Sequence, residues 1–273
     1  MRRFDFAVCA NLFPRNSLEC ALTAMRSYGF TRVQLWGHVA HFHPGYTTSA
    51  EAARLAERVR DQGMEIASLF PEGGSYPLNP AAAEAHLRQR SVDYYRRCLD
   101  LAAAMGIHRV VLHPGYGLLD RDERLAMDNA AHSWQAIGAH ARELGLDAQL
   151  QNCAAVHLGS LGQLDRLIER SGVGLGICAD VGLALDAGTS PAELMAMEAV
   201  RGLNVSDGPG GHLAFGDGHY DLKNVCGEIE ACGWAERTTL VMDNRAYVLE
   251  PEAALRRTAE RILEWRRTLE PTV

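Results

Sequence analysis

No CxxC pair, no long apolar run and no glycine-rich dinucleotide fingerprint occur in these 273 residues, and each absence removes a class of protein. The seven cysteines (Cys9, Cys20, Cys98, Cys153, Cys178, Cys226 and Cys232) are odd in number and lack paired metal-site spacing. Free, buried thiols in a reducing cytoplasm are therefore expected. No stretch of 18 apolar residues exists, and no basic amino-terminal region precedes an apolar run. Neither a membrane span nor a secretion leader is expected. The net charge is −7 with the basic residues scattered, which argues against a nucleic-acid groove. The expected partner is a small molecule, with no nucleic acid and no membrane. No composition break or low-complexity linker divides the chain, so one domain over residues 1–273 is expected.

What is present is a folding sequence, with 47% apolar residues and 22% charged. Short apolar runs read as strands at Asp5–Cys9, Arg32–Trp36, Glu65–Phe70, Arg109–His113, Asp147–Asn152, Val173–Asp180, Leu203–Val205 and Thr238–Met242. Amphipathic stretches with capping residues separate them: Asn16 or Ser17, Ser49 or Thr48, Ser160 and Ser190 stand at helix starts, and Gly29, Gly63, Gly106 and Gly145 at helix ends. Asn79-Pro80 reads as a cap and first-turn proline of the helix that runs to Met105. Strict alternation of strand and helix means parallel strands joined by crossovers. Eight such units in this length predict an α/β fold, a single closed (β/α)8 TIM barrel. A doubly wound sheet is the competing arrangement, but GxGxxG is missing after the first strand.

In such a barrel chemistry sits at the carboxyl ends of the strands. Polar residues collect there: Trp36, His38, His41 and His43 after the second strand, then Glu72, Ser75, Tyr76 and Asn79 after the third. His113 ends the fourth, Gln151 and Asn152 the fifth with His157 beyond, and Asp180 the sixth. Asn204, Ser206 and Asp207 mark the seventh, and Asp243 and Asn244 the eighth. Plainer readings stand beside these. Asp180 can cap the next segment, His113 can anchor the Pro114-Gly115 turn, and His41 and His43 can be solvated loop residues. The stretch Leu203–Asp221 carries five glycines, three acids, His212 and His219. The interleaved Leu213 and Phe215 favour a folded site wall over a loose connector. Asp243 follows the apolar run TTLVM, where a partly buried carboxylate suits a general base.

Six stretches carry a resemblance: VQLWGHVAHFHPGY, FPEGGSYPLN, LHPGYG, CADVGLALDAG, NVSDGPGGHLAFGDGHYDL and VMDNRAYVLEPEAALRRTAER. They resemble the sugar phosphate isomerase/epimerase family of xylose isomerase-like barrels. Within it they are most similar to fructoselysine 3-epimerase and the ketose 3-epimerases, and more distantly to endonuclease IV. The resemblance implies a divalent cation held by Glu, Asp, His and Glu at the ends of strands five to eight, the two Glu residues exchanging protons with the substrate. Here those positions are Gln151, Asp180, Asn204 and Asp243, and a substrate-contacting loop acid corresponds to His157. This set has two charges and two amides, which suits one weakly bound hard cation (Mg²⁺, Mn²⁺ or Ca²⁺) or none.

An amide cannot abstract a proton, so Gln151 is no second base. Asp243, His113 and His212 are the catalytic candidates, with Trp36, Glu72, Gln151, His157 and Asn204 binding substrate. The expected activity is that of a sugar isomerase or epimerase acting on a polyhydroxy carbonyl compound by proton abstraction next to the carbonyl. A metal-independent lyase or dehydratase, and a non-catalytic sugar-binding relative, are the alternatives. Relatives form dimers or tetramers, so a homo-oligomer is expected, in the cytoplasm.

Overall fold

Eight parallel strands close on themselves in sequence order: β1 (Phe4–Cys9), β2 (Phe30–Gly37), β3 (Glu65–Pro71), β4 (Arg109–Leu112), β5 (Asp147–Gln151), β6 (Gly176–Asp180), β7 (Val200–Val205) and β8 (Thr238–Leu240). The ring is sealed by β1 against β8, with Ala7 beside Thr239 and Val8 beside Leu240. This computed structural model describes residues 4–73, 78–154, 158–208, 212–242 and 244–269. The barrel is the one that the alternation predicts.

The helices are α1 (Leu18–Ser27), α2 (Ser49–Asp61), α3 (Ala85–Met105), α4 (Glu123–Glu143), α5 (Leu161–Ser171), α6 (Val181–Asp186), α7 (Pro191–Ala196), α8 (Leu222–Ala231), α9 (Asn244–Tyr247) and α10 (Pro251–Leu269). Their starts are set locally. Ser17 accepts from the Cys20 N–H, and Thr48, Ser160 and Ser190 form reciprocal capping boxes with Glu51, Gln163 and Glu193. Each longer helix lays an apolar stripe on the strands, as Leu55, Ala56 and Val59 do from α2. No described helix is long and apolar enough to cross a membrane.

One helix begins later than the sequence suggests. Asn79-Pro80 does not open α3, which starts at Ala85. The Asn79 side chain is engaged across two loops instead. Its Oδ1 accepts from the N–H groups of Ala81 and Tyr116, both at 3.0 Å, and its Nδ2 donates to the Tyr116 carbonyl at 2.9 Å. Its own N–H donates to Ser91 Oγ at 2.8 Å. The two bonds to Tyr116 tie the β3–α3 connection to the β4–α4 connection, the Ala81 bond holds a local turn, and the Ser91 bond fixes that turn to α3. Two short helices, α6 of six residues and α9 of four, add to those read from the sequence.

All seven cysteines are free. Burial pushes the thiols of Cys9, Cys153 and Cys178 up to about 12, so they stay protonated and offer no thiolate nucleophile.

Candidate active site

The register places three neighbouring strand ends together. Gln151 pairs with Cys178, Cys178 with Gly202, and Asp180 with Asn204. Alternation along each strand then puts Gln151, Cys178, Asp180 and Asn204 on one face. Asn204 Oδ1 accepts from the Cys178 thiol at 3.5 Å.

Asp180 is the hub of this group. It is 3% exposed. Its Oδ1 accepts the Leu183 N–H at 3.0 Å and so caps α6. Its Oδ2 lies 2.8 Å from His212 Nε2, and its own N–H donates to Asn152 Oδ1. Capping and site-building are therefore not alternatives here: each oxygen does one of them. The His212 side chain is 35% exposed, so the pair runs from a buried carboxylate to a solvent-facing imidazole. His212 has φ +44, the one non-glycine residue with positive φ among the described residues. That conformation costs of order 1 kcal/mol or more and is held against the surrounding structure.

What holds it is the glycine-rich loop after β7. Asp207, buried at the strand end, accepts the Gly216 N–H through Oδ2 at 2.8 Å and the Tyr220 N–H through Oδ1 at 3.1 Å. Its backbone exchanges two hydrogen bonds with Leu213, at 2.9 and 2.8 Å, so His212 is fixed by its neighbour. A Cβ at Gly218 would collide with Asp207 Oδ1, which is why the loop needs glycine there. Outer ties complete the fold of the loop. Tyr247 Oη accepts the Ala214 N–H and donates to Asp217, both at 2.8 Å, and Tyr220 Oη donates to Asp186 at 2.6 Å. Asp221 caps α8, as its position suggests.

The opposite rim comes from β2, β3 and β4. The Trp36 indole is buried, and the His38 ring stacks on it at 4.1 Å with 5° between planes. The His38 ring thus covers one face of the indole. His41 is no solvated loop residue: its Nε2 lies 3.1 Å from the Phe13 carbonyl, and burial lowers its pKa. Half-buried Glu72 starts the β3–α3 connection with its N–H on the Gly37 carbonyl, 3.3 Å away.

His113 stands past β4. Its Nδ1 accepts the Gly115 N–H at 3.2 Å, which anchors the Pro114-Gly115 turn. Burial lowers its pKa to about 4, so the ring is neutral and its proton sits on Nε2. A neutral imidazole of this kind donates a hydrogen bond but does not ionise near pH 7. It also links stability to pH. The unfolded chain protonates His113 near the ordinary histidine value of 6.5 and the folded chain only near 4, so the unfolded state binds the extra proton between them. Stability should be full above pH 6.5 and fall as pH drops toward 4, by an amount on the order of 3 kcal/mol at about 1.4 kcal/mol per unit. In His113→Asn, Oδ1 can keep the Gly115 bond while the titration is gone. Urea unfolding between pH 4 and 7 should show a shallower loss for the variant; parallel curves would rule out His113 as the source.

Asp243 and His157 lie outside the described residues, as do Ser75 and Tyr76. Of the four positions implied to hold a cation, Gln151, Asp180 and Asn204 are therefore described. They bring one carboxylate, both of whose oxygens are engaged, and two neutral amides, one facing a thiol. Among the described residues no three His, Cys, Asp or Glu side chains converge as metal ligands. This donor set fits a tightly held divalent cation poorly.

Cys178 is a contributor the sequence reading does not name; it lies two residues before Asp180, so strand periodicity alone places it on the same face. Asn152 stands at its expected strand end, but its bond to the Asp180 N–H comes from the neighbouring strand, which no local pattern reveals.

A family model described as a xylose isomerase-like TIM barrel matches residues 22–265. Fructoselysine 3-epimerase of Escherichia coli O157:H7 is 19% identical over 137 residues, 50% of this chain and 50% of that protein. The match thus spans about half the length of this curated relative. Among solved structures, a D-tagatose 3-epimerase-like protein superposes with a TM-score of 0.76 at 19% identity, covering 97% of this chain and 99% of its own. An L-ribulose 3-epimerase gives 0.76 at 16% identity, covering 98% and 97%. At these identities the two structures establish the fold.

Proposed function

Since the chain belongs to the xylose isomerase-like TIM barrel family, we propose that it is a sugar isomerase or epimerase-type enzyme acting on a polyhydroxy carbonyl compound. The observation that carries this reading is the Asp180–His212 pair, a buried carboxylate holding a solvent-facing imidazole at 2.8 Å beside inward-facing amides. A carboxylate that orients an imidazole is the ordinary means of making a positioned acid and base. Both curated and structural similarity to 3-epimerases supports the same substrate class.

The proposed step is removal of a proton from the carbon next to the carbonyl. The C–H electron pair moves into the new C=C bond as the carbonyl π pair moves onto oxygen, giving an enediol(ate). His113, neutral and carrying its proton on Nε2, would donate a hydrogen bond to that oxygen as charge develops. His212 would accept or return the proton, and Asp180 would stabilise the imidazolium formed. Asp243, on the grounds of its sequence position after a buried strand, is the proposed carboxylate base. Gln151 and Asn204 would bind substrate hydroxyls.

A divalent cation, when bound, would supply Lewis-acid polarisation of the carbonyl, but the described donors should hold one only weakly. After incubation with Mg²⁺, Mn²⁺ or Ca²⁺ and desalting, elemental analysis is expected to find well under one ion per chain. One tightly retained ion per chain would overturn the donor argument.

The function itself is tested by incubating the protein with a panel of ketoses and aldoses in D₂O. Deuterium should enter at the carbon next to the carbonyl of one class of sugar, with the isomer or epimer formed alongside. Exchange accompanied by loss of water would point to elimination instead. No exchange with any member of the panel would remove the proton-abstraction reading.

A further inference from the structure

The amino-terminal mouth of the barrel, opposite the site above, holds a cavity of about 760 Å³. Its wall carries Arg60, Arg109, Arg201 and Arg237 against Glu65 and Asp147. Four guanidinium groups facing two carboxylates make a positive pocket in a chain of net charge −7. The arginines come from different places in the sequence, and only closure of the barrel collects them.

The two carboxylates are already engaged. Glu65 Oε1 accepts from Arg32 Nη2 at 2.7 Å. Asp147 accepts from Arg201 Nη1 at 3.1 Å through Oδ1 and from Gln149 Nε2 at 2.6 Å through Oδ2. Arg60 donates to the Met105 carbonyl. Arg109 and Arg237 are left with no carboxylate in salt-bridge contact among the described residues. Arg237 rests over the Trp234 ring at 5.1 Å, and Arg109 Nε is buried with no hydrogen-bond partner. Burial lowers the Arg109 pKa, Arg32 and Arg237 add to the effect, and Asp147 opposes it.

Arg109, half-buried with its Nε unpartnered, is the costly member of this group, because an unpaired charge taken out of water is destabilising, while Arg237 lies exposed on the rim beside it. Forked guanidinium donors gathered in a concave, partly desolvated pocket match the geometry of a multivalent oxyanion. We infer that this mouth binds a compact oxyanion of the phosphate class, contacted by Arg109 and Arg237 and flanked by Arg60 and Arg201. Glu65 and Asp147 set the limit on its charge: they hold two of the neighbouring arginines and leave the others to the ligand. The cavity is larger than a bare phosphate ion needs, so the phosphate group of a phosphorylated metabolite fits the same chemistry. The inference is independent of the reaction proposed at the other mouth.

The test is calorimetric titration of the full chain with inorganic phosphate and, separately, D-ribose 5-phosphate, at an ionic strength held constant with NaCl. Saturable binding at one per chain is expected, with a rise in Tm that chloride alone does not produce. Arg109→Met and Arg237→Gln should each weaken binding about tenfold, the loss of one charge-assisted contact, about 1.4 kcal/mol. His212→Gln should leave the affinity unchanged. Tighter binding of ribose 5-phosphate would identify a phosphorylated metabolite as the source, and equal binding the free ion. Should Arg109→Met fail to fold, Arg237→Gln, on the exposed rim, reads the same contact. Absence of saturable binding overturns the inference, as does unchanged affinity in the arginine variants or loss of binding in His212→Gln alone.

Discussion

His212→Gln should lower the rate of deuterium exchange and of product formation by about 10²–10⁴-fold, the usual size of a positioned acid or base. Glutamine keeps an N–H for Asp180 Oδ2, so the loop position and the buried carboxylate retain a partner, but it cannot carry a proton back and forth. The loss should fall on kcat more than on KM, because the ring is asked to act in the transition state. Asp180→Asn makes a companion test. An amide at this position can still accept from Leu183 and cap α6, but it no longer stabilises an imidazolium at Nε2. Its activity should fall with that of His212→Gln, and the double variant should be little worse than either single one, as happens for groups that act as a unit. Fully additive losses would mean that the two side chains act separately. A His212→Gln protein with wild-type turnover would remove the pair from the chemistry.

The second large effect is expected at Asp207, which touches no proposed substrate atom. Asp207→Ala removes the acceptor of two loop N–H groups, from Gly216 and Tyr220. Hydrogen bonds to a charged partner are worth about 1.5–3 kcal/mol each, less what water recovers once the loop opens, so a loss of roughly 2–4 kcal/mol is expected. Activity should fall with it, since Leu213 pairs with Asp207 and the strained His212 backbone precedes it. Asp207→Asn keeps one acceptor oxygen and should retain an intermediate part of both properties. Urea midpoints and the exchange assay, measured on the three proteins, check this. If Asp207→Ala unfolds within 0.5 kcal/mol of the parent and keeps its rate, roughly the range of a neutral surface change, then the carboxylate does not organise the loop.

Much of this molecule is written locally. The strand and helix runs, the caps at Ser17, Thr48, Ser160 and Ser190, and the polar residues at strand ends depend on periodicity and on bonds between residues three or four apart. The barrel followed from counting eight alternating units. The positions of Gln151, Asp180 and Asn204 at one rim followed from the same count, because strand order and parallel direction are fixed once the barrel is.

Tertiary structure decided the rest, through bonds and burial that no short segment contains. Asp180 and His212 are 32 residues apart, and the loop that joins them in space takes its path from Asp207. Asn79 left its expected cap because partners 37 residues away at Tyr116 offered more hydrogen bonds. His113 is held neutral by burial, which depends on what the closed barrel packs around it. The arginines of the amino-terminal mouth look scattered along the chain and become a pocket only where strand starts and helix ends converge. Sequence fixes which groups each element can present; the closed barrel sets their distances and their access to water, and those two quantities govern charge, proton transfer and binding.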